Sequence, residues 1–251
     1  MEHWCRLNVL GEFQLLHDGA RLPLLPKAER LLAVMAVVHR GRRVRRAAVA
    51  EQLWPEASPG RASSSLRSVL WRLPRPRGRP PVQANAASLW LADGVDVDLW
   101  EAQGLARALA AGEAPAQPLA TLELFSTDLL PDWAEEWLAL EQESYRQQRL
   151  HALEIGAALL CRERRFPHAL EAALEAVRAE PLRESAHRRV IEVHLAEGNH
   201  AEALRQYEAY RRLIAGELGL PPSDSIRHLV GPLLGRPIER WAARTERRSS
   251  W

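Results

Sequence analysis

Apolar positions in the first hundred residues change their spacing several times, and each spacing predicts a different element. Cys5, Leu7 and Val9 alternate with polar neighbours, which is the two-residue period of a half-buried strand. From Pro26 the apolar positions recur every three or four residues, as expected of a helix that opens on proline. The predicted elements are strands at about 4–10, 13–15 and 21–24, helices at 26–40, 45–54 and 63–73, and a hairpin of strands at 82–85 and 89–91.

The stretch from Arg61 to Leu73 combines an apolar face with a basic one. At about 100° per residue, one side of a helix carries Ala62, Leu66, Val69, Leu70 and Leu73, and the other carries Ser64, Arg67, Ser68 and Trp71. No Asp or Glu occurs in the stretch. Small side chains allow close approach, and arginine donates hydrogen bonds to guanine edges or phosphates. The stretch is therefore either a helix that enters the major groove of DNA or an ordinary amphipathic helix with a solvated basic face.

The order of the elements around this helix is that of a winged helix-turn-helix. Pro55 ends the second predicted helix, Ser58-Pro59-Gly60 predicts a turn, and Pro74 ends the third helix. The hairpin that follows occupies the place of a wing. This part of the chain predicts a DNA-binding domain over residues 1–96.

The second half of the chain is predicted to be helical almost throughout and to contain a repeat. The run Phe166-Pro167-His168-Ala169-Leu170 recurs as His200-Ala201-Glu202-Ala203-Leu204, 34 residues later. That period is typical of tetratricopeptide units, in which small residues let paired helices cross closely. The predicted fold class is mostly α with a small β component, with an all-α, tetratricopeptide-like domain over 97–236 and a disordered tail over 237–251.

The charge distribution supports a nucleic-acid module attached to a different kind of domain. Residues 1–96 hold 15 Lys and Arg against 8 Asp and Glu, whereas residues 97–251 hold 19 against 24. A basic half joined to an acidic half indicates a nucleic-acid-binding module attached to another domain. The overall composition, 47% hydrophobic and 26% charged, is that of a globular protein.

Two arginine clusters frame the predicted helix-turn-helix. The first cluster, before the second helix, comprises Arg40, Arg42, Arg43, Arg45 and Arg46, and the second cluster, after the third helix, comprises Arg72, Arg75, Arg77 and Arg79. Arginines at helix ends bind phosphates and add affinity without sequence information, although a run of charge can also be merely solvated. The predicted DNA-binding residues are Arg42, Arg43, Arg45, Arg46, Arg61, Ser63, Ser64, Arg67, Ser68, Trp71, Arg72, Arg75, Gln83 and Asn85.

Several other kinds of chemistry find no support in the chain. His194 and His200 stand six residues apart, which does not match the one-turn spacing of zinc-protease histidines. Lys27 is the only lysine and lies in no glycine-rich phosphate loop. We therefore predict no catalytic, metal or cofactor site and no enzyme activity. Two isolated cysteines, no signal peptide and no long apolar run predict a cytoplasmic protein that does not insert into membranes.

Several short motifs, taken in order, resemble the Streptomyces antibiotic regulatory protein family. The first part carries Leu10-Gly11, His17-Asp18-Gly19, Pro26-Lys27, Leu53-Trp54, Leu66-Arg67-Ser68 and Arg72-Leu73. The second part carries Asp96-Val97-Asp98-Leu99-Trp100, Asp128-Leu129-Leu130-Pro131, Pro181-Leu182-Arg183-Glu184, Ala203-Leu204, Tyr207 and Glu217-Leu218-Gly219-Leu220. The resemblance covers roughly residues 4 to 234. That family joins an OmpR-type winged helix to a bacterial transcriptional activator domain.

The resemblance implies a transcriptional activator that binds direct repeats near a promoter as paired protomers or a homodimer and contacts RNA polymerase. The third helix would enter the major groove, and the hairpin near Gln83 to Ser88 would touch the adjacent minor groove. Ser63-Ser64-Ser65 departs from the family, in which larger polar residues are usual here. The alternative function is a tetratricopeptide-type scaffold that binds only proteins.

Overall fold

The computed structural model describes residues 4–113 and 124–234 and divides the chain into two compact units, which meet between Ile155 and Gly156. The strands are β1 (Cys5–Asn8), β2 (Gln14–His17), β3 (Ala20–Arg21), β4 (Val44–Arg45), β5 (Val82–Ala84), β6 (Ser88–Leu91) and β7 (Val95–Val97). The helices are α1 (Pro26–Val37), α2 (Arg46–Leu53), α3 (Pro59–Arg72), α4 (Asp98–Ala110), α5 (Glu136–Arg162), α6 (Phe166–Ala179), α7 (Glu184–Glu197), α8 (His200–Leu218) and α9 (Asp224–Leu234). The predicted tail at 237–251 lies outside the described residues.

A four-stranded sheet in the order β3-β2-β1-β7 begins the first unit. β1 pairs with β2 in antiparallel and with β7 in parallel, where Cys5 faces Val95 and Leu7 faces Val97. The third strand is shorter than the predicted 21–24 and ends at Arg21. Pro23 has no N–H to extend the ladder, and the last bond at this edge runs from the Leu22 N–H to the Leu15 carbonyl, 2.8 Å away.

The core of the winged helix forms around α1. All residues from Leu31 to Val37 are buried, with at most 1% of any side chain exposed. α2 and α3 pack against this helix and against each other. A three-stranded sheet in the order β4-β6-β5 completes the domain, and its hairpin occupies the position of the predicted wing.

The third helix begins earlier than the sequence pattern predicts. Ser58-Pro59-Gly60 was predicted as a turn, but Pro59 and Gly60 form the first helical turn of α3, and Ser58 is its N-cap. The Ala62 N–H donates to the Ser58 carbonyl at 2.9 Å. Proline suits the first helical position because its missing N–H would have no partner inside the helix. The prediction of a turn at 58–60 is therefore wrong.

Two strands, β4 and β7, are absent from the sequence prediction. β4 has only two residues and pairs with β6, and β7 has three residues and pairs with a strand about ninety positions earlier. Strands this short show too few alternations to produce a recognisable period. Their partners, and not their own sequences, determine their conformation.

Asp98 connects the sheet to the helices that follow it. Its buried carboxylate accepts hydrogen bonds from the N–H groups of Val9, Leu10 and Leu99 at 2.7–3.0 Å. Burial raises the pKa of Asp98, while the three backbone donors oppose that shift. β7 ends at Val97 and α4 begins at Asp98. The Asp98 carboxylate therefore holds the backbone that follows β1 against the start of α4.

Arg149 of α5 performs a similar task for the segment before that helix. Arg149 is buried, with only 3% of its surface exposed. It donates to the carbonyls of Phe125 and Ser126 and pairs with the Asp128 carboxylate, at 2.5–2.9 Å. The Gly11 N–H in turn donates to the Asp128 carbonyl at 2.8 Å. α4 and the part of α5 up to Ile155 therefore belong to the same compact unit as the winged helix.

The second unit consists of helices spaced as the repeat predicts. α6 and α8 begin 34 residues apart, at Phe166 and His200. The repeated alanines, Ala169 and Ala203, are fully buried. Gly198 ends α7 in the left-handed conformation at φ 88°, which a residue with a side chain rarely adopts. The fold class, mostly α with small sheets and a winged region ahead of helical repeats, is confirmed.

None of the helices in the described part of the chain is both long and apolar enough to span a bilayer.

Candidate nucleic-acid interface

The wing is fastened to the start of α2 by backbone and side-chain bonds. In the β4–β6 pair, Arg45 faces Ser88. The Arg46 N–H donates to the Ala87 carbonyl at 2.9 Å, and the Arg46 guanidinium donates to the Asn85 carbonyl at 3.1 Å. Strand pairing and hydrogen bonds therefore join the segment that carries the first arginine cluster to the tip of the hairpin.

The face of α3 that was predicted to meet DNA is open to solvent. Ala62, Leu66 and Val69 are buried on the opposite side. The exposed residues of this helix include Arg61, Ser63, Ser64, Arg67, Ser68, Trp71 and Arg72. Trp71 has 76% of its surface exposed, although a large apolar side chain is normally covered. This face combines small residues, arginines and an exposed indole.

Asn85 and Gln83 have specific places in the wing. The Asn85 side-chain oxygen accepts the N–H groups of Ala87 and Ser88 at 2.9 and 2.7 Å, so it builds the turn at the hairpin tip. Gln83 is half-buried and faces Trp90 across the hairpin. The Asn85 side chain therefore shapes the tip of the wing, and Gln83 lies on a strand of the same hairpin.

Trp90 belongs to this surface but was not predicted. The Arg43 guanidinium carbon lies 4.0 Å from the centre of the Trp90 ring. This cation–π contact holds the arginine against the hairpin. The sequence signal was weak, because a tryptophan in a short apolar strand is equally consistent with an ordinary core residue.

The predicted arginines share one electrostatic property. Within residues 4–113 and 124–234, none of them forms an ion pair with a carboxylate: Arg42, Arg43, Arg45, Arg46, Arg61, Arg67, Arg72 and Arg75. Elsewhere ion pairs are frequent and engage Arg6, Arg21, Arg30, Arg146, Arg149, Arg178, Arg188, Arg189, Arg205, Arg211 and Arg227. The winged helix thus concentrates positive charge that the described carboxylates do not neutralise.

Arg77 differs from its neighbours in the second arginine cluster. Its guanidinium pairs with the Asp18 carboxylate at 3.1 Å. Both residues adopt positive φ, 51° for Arg77 and 48° for Asp18. The pair ties the loop after α3 to the turn between β2 and β3, so Arg77 supports that loop and does not add to the unpaired charge.

A basic residue from another helix, Lys27 of α1, lies beside the exposed face of α3. A groove of about 760 Å³ separates the first turn of α1 from α3 and is lined by Lys27, Ser64, Ser68 and Arg72, among others. Lys27 was not among the predicted contacts. In the sequence, Lys27 follows Pro26 and indicates only the start of a helix. The packing of α1 beside α3 brings Lys27 to this surface.

No metal-binding group is found in the described ranges 4–113 and 124–234: no three or more His, Cys, Asp or Glu side chains come together there. Both cysteines are free, and burial raises the pKa of the Cys5 thiol to about 11. His39 bonds to Gln52 at 3.0 Å, and burial lowers its pKa. The His39–Gln52 bond joins the turn that follows α1 to α2.

Comparison with known proteins agrees with the architecture. The profile of the bacterial transcriptional activator domain family matches residues 95–234. The regulatory protein AfsR of Streptomyces coelicolor is 27% identical over 239 residues, which cover 91% of this chain and 24% of AfsR. A solved structure of Mycobacterium tuberculosis EmbR, in complex with a low-affinity phosphopeptide, superposes with a TM-score of 0.72 at 23% identity.

The structural match covers 93% of this chain and 65% of the EmbR chain. At that identity it shows a shared fold only. The chain therefore spans about a quarter of the curated relative and about two thirds of the solved structure. The family profile alone covers more than half of the chain, and with AfsR it confirms the resemblance seen in the sequence. The chain belongs to the bacterial transcriptional activator domain family, in the form of the Streptomyces antibiotic regulatory proteins.

Proposed function

We propose that this protein is a sequence-specific DNA-binding activator of transcription that binds direct repeats near a promoter. The observation that carries the proposal is the set of eight arginines on the winged helix without a carboxylate partner among the described residues. Most of the other arginines in the described part of the chain form ion pairs, so this surface is electrostatically distinct. An unpaired arginine surface of this kind attracts the phosphates of duplex DNA.

In this proposal α3 reads base edges in the major groove. Its exposed serines are small enough to let the helix approach the bases, and Arg67 lies in the middle of the exposed face. Arginine contacts guanine with two hydrogen bonds, which gives sequence preference. Arg61, at the start of the helix, and Arg72, at its end, would contact the flanking phosphates.

The wing and the segment before α2 add affinity. Arg42, Arg43 and Arg45 lie on the edge that the hairpin shares with α2, and the hairpin tip around Asn85 would enter the adjacent minor groove. Phosphate contacts of this kind release counterions and carry little sequence information.

The helical repeats are proposed to bind proteins. Residues 97–251 carry more acidic than basic side chains, so phosphate would repel them. A second protomer on the neighbouring half-site and RNA polymerase are the proposed partners. Binding two linked half-sites raises the effective concentration of the second protomer and thereby the overall affinity.

The test measures fluorescence anisotropy of labelled duplexes from the upstream region of the protein's own gene, with the full chain, beside in vitro transcription from the same template. We expect tighter binding to a duplex with two repeats than with one, and transcription that depends on the repeats. Equal affinity for the upstream duplex and for scrambled DNA would contradict sequence-specific binding and favour the protein-only scaffold.

A further inference from the structure

A cavity of about 560 Å³ lies within the first unit, between α4, α5 and the turn that follows α1. Its volume is in the range of sites that bind small molecules. α4 contributes Gln103, Ala106, Arg107 and Ala110, and α5 contributes Gln148, His151, Ala152 and Ile155. Each set has the spacing i, i+3, i+4 and i+7, so one face of each helix lines the cavity.

The walls of the cavity are apolar and its rim is basic. Ala106, Ala152 and the Trp100 ring form apolar wall, and no Asp or Glu is among the described lining residues. Arg107 has no ion pair in the parts of the chain that the structure describes. Its Nε donates to the Gln103 carbonyl of its own helix at 3.1 Å. Arg40, in the turn after α1, also lines the cavity and reaches the Glu141 carboxylate only at 3.9 Å.

Trp100 connects the cavity to the arginine segment of the winged helix. Its indole N–H donates to the Ala36 carbonyl in the last turn of α1 at 2.9 Å. The same ring lies against Gly41, where an added Cβ would be 2.7 Å from the Trp100 Cη2 atom. Gly41 precedes Arg42 and Arg43 directly, so the ring that forms part of the cavity wall also positions the turn from which those arginines start.

We propose that this cavity binds a small organic anion with a flat apolar body, and that the bound anion strengthens DNA binding. The anionic group would pair with Arg107 and Arg40, and the apolar body would lie against Trp100 and the alanines. A ligand packed on Trp100 restricts the conformations of the turn at Arg40 and Gly41. Arg42 and Arg43 then lose less conformational entropy when they bind DNA, so the affinity for DNA rises. The second part rests on the proposed DNA-binding function.

The probe for the site is 1-anilinonaphthalene-8-sulfonate, whose fluorescence rises in apolar surroundings, titrated into the full chain without DNA. We expect one site per chain. The uncharged analogue N-phenyl-1-naphthylamine should bind at least about tenfold more weakly, because it lacks the group that pairs with the arginines. Equal affinity for the two probes, or no saturable site, would overturn the proposal.

Variants locate the site. Arg107→Glu should weaken sulfonate binding at least about tenfold, and Ala106→Phe should weaken both probes by filling the cavity. Arg212→Glu, the same charge change on an exposed residue of α8, should leave both affinities unchanged. Circular dichroism and the thermal midpoint verify that each variant is folded, and Arg107→Gln replaces Arg107→Glu if the latter is not. Unaltered sulfonate binding in the folded Arg107 and Ala106 variants would overturn the assignment.

The coupling is tested by measuring the anisotropy titration of upstream DNA with and without saturating sulfonate. We expect about fivefold tighter DNA binding with the ligand, a typical size for coupling between two sites, and no change in Arg107→Glu. Identical DNA affinity with and without ligand would overturn the coupling. If the full chain binds no DNA with or without the ligand but still binds the probe, the proposed DNA-binding function is contradicted and the ligand site is retained.

Discussion

The Arg43 guanidinium lies 4.0 Å above the ring of Trp90 and thereby joins the segment before α2 to the wing. Arg43 is exposed and Trp90 is half-buried, so the contact lies at the edge of the domain. It places a positive charge beside the hairpin and restricts the conformations of a long side chain. We expect the pair to contribute to stability, and we propose that Arg43 also binds phosphate.

The first prediction separates these two roles. In a double-mutant cycle with Arg43→Ala and Trp90→Leu, we expect a coupling free energy of about 0.5–1 kcal/mol in urea unfolding, the range for exposed cation–π pairs. Affinity for random DNA should fall in Arg43→Ala and much less in Trp90→Leu, because the latter keeps the charge. A coupling energy of zero would mean that the two side chains are neighbours without a net interaction.

The second prediction concerns base readout by Arg67. Arg67→Ala should cost about 1–3 kcal/mol on the cognate duplex and clearly less on random DNA. Anisotropy titrations on both duplexes measure the difference. Equal losses on the cognate duplex and on random DNA would show that Arg67 contacts phosphate and not a base.

The third prediction concerns Arg42 and Arg45, which lie before α2 and off the reading face of α3. Replacing both with alanine should reduce the slope of log K against log salt concentration by about two units while sequence preference stays the same. The matched control replaces Arg162 and Arg212, two exposed arginines outside the winged helix. An unchanged slope in the first variant would show that Arg42 and Arg45 are only solvated.

The fourth prediction concerns the backbone at Gly41. Gly41→Ala should destabilise the fold by about 2 kcal/mol or more, because the residue adopts φ 69° and its Cβ would meet Trp100. The control is Gly60→Ala in the first turn of α3, where no heavy atom lies within 4 Å of an added Cβ. That change should stabilise the protein by up to about 1 kcal/mol. Urea unfolding measures both, and a neutral Gly41→Ala would contradict the close packing on Trp100.

The fifth prediction concerns pH and His187 of α7. The imidazole is buried, its Nε2 lies 2.8 Å from the Pro181 carbonyl and its Nδ1 lies 2.8 Å from Gln206. Burial lowers the pKa of His187 below the ordinary value of 6.5, although the Pro181 carbonyl and Glu184 oppose the shift. The unfolded chain therefore binds a proton more readily than the folded protein between the two pKa values.

The resulting stability is complete above about pH 6.5 and is lost as the pH falls towards the pKa of the folded state, by at most about 1.4 kcal/mol per pH unit. His187→Gln should be less stable at pH 8 but should show a shallower decrease between pH 6.5 and 5. Thermal or urea unfolding at each pH measures the two profiles. Parallel profiles would show that His187 does not contribute to the pH dependence.

Local features of the chain were readable from the sequence alone. The buried and exposed faces of α3 follow from its helical period, and the 34-residue repeat predicted the starts of α6 and α8. The apolar periodicity that predicted α1 also depends only on residues three or four positions apart. Such features can be predicted without information about distant parts of the chain, because they depend on residues that are only a few positions apart.

Tertiary structure decided what depends on distant partners. β7 is a strand because β1 lies beside it, and Asp98 is an acceptor because three backbone N–H groups converge on it. The same holds at the surface: Arg77 has a carboxylate partner and Arg67 has none in the described residues, although both appear in the sequence as isolated positive charges. Long-range packing decides which arginines lack a carboxylate partner, and it brings Trp90 and Lys27 to the same surface. No local sequence pattern contains this information.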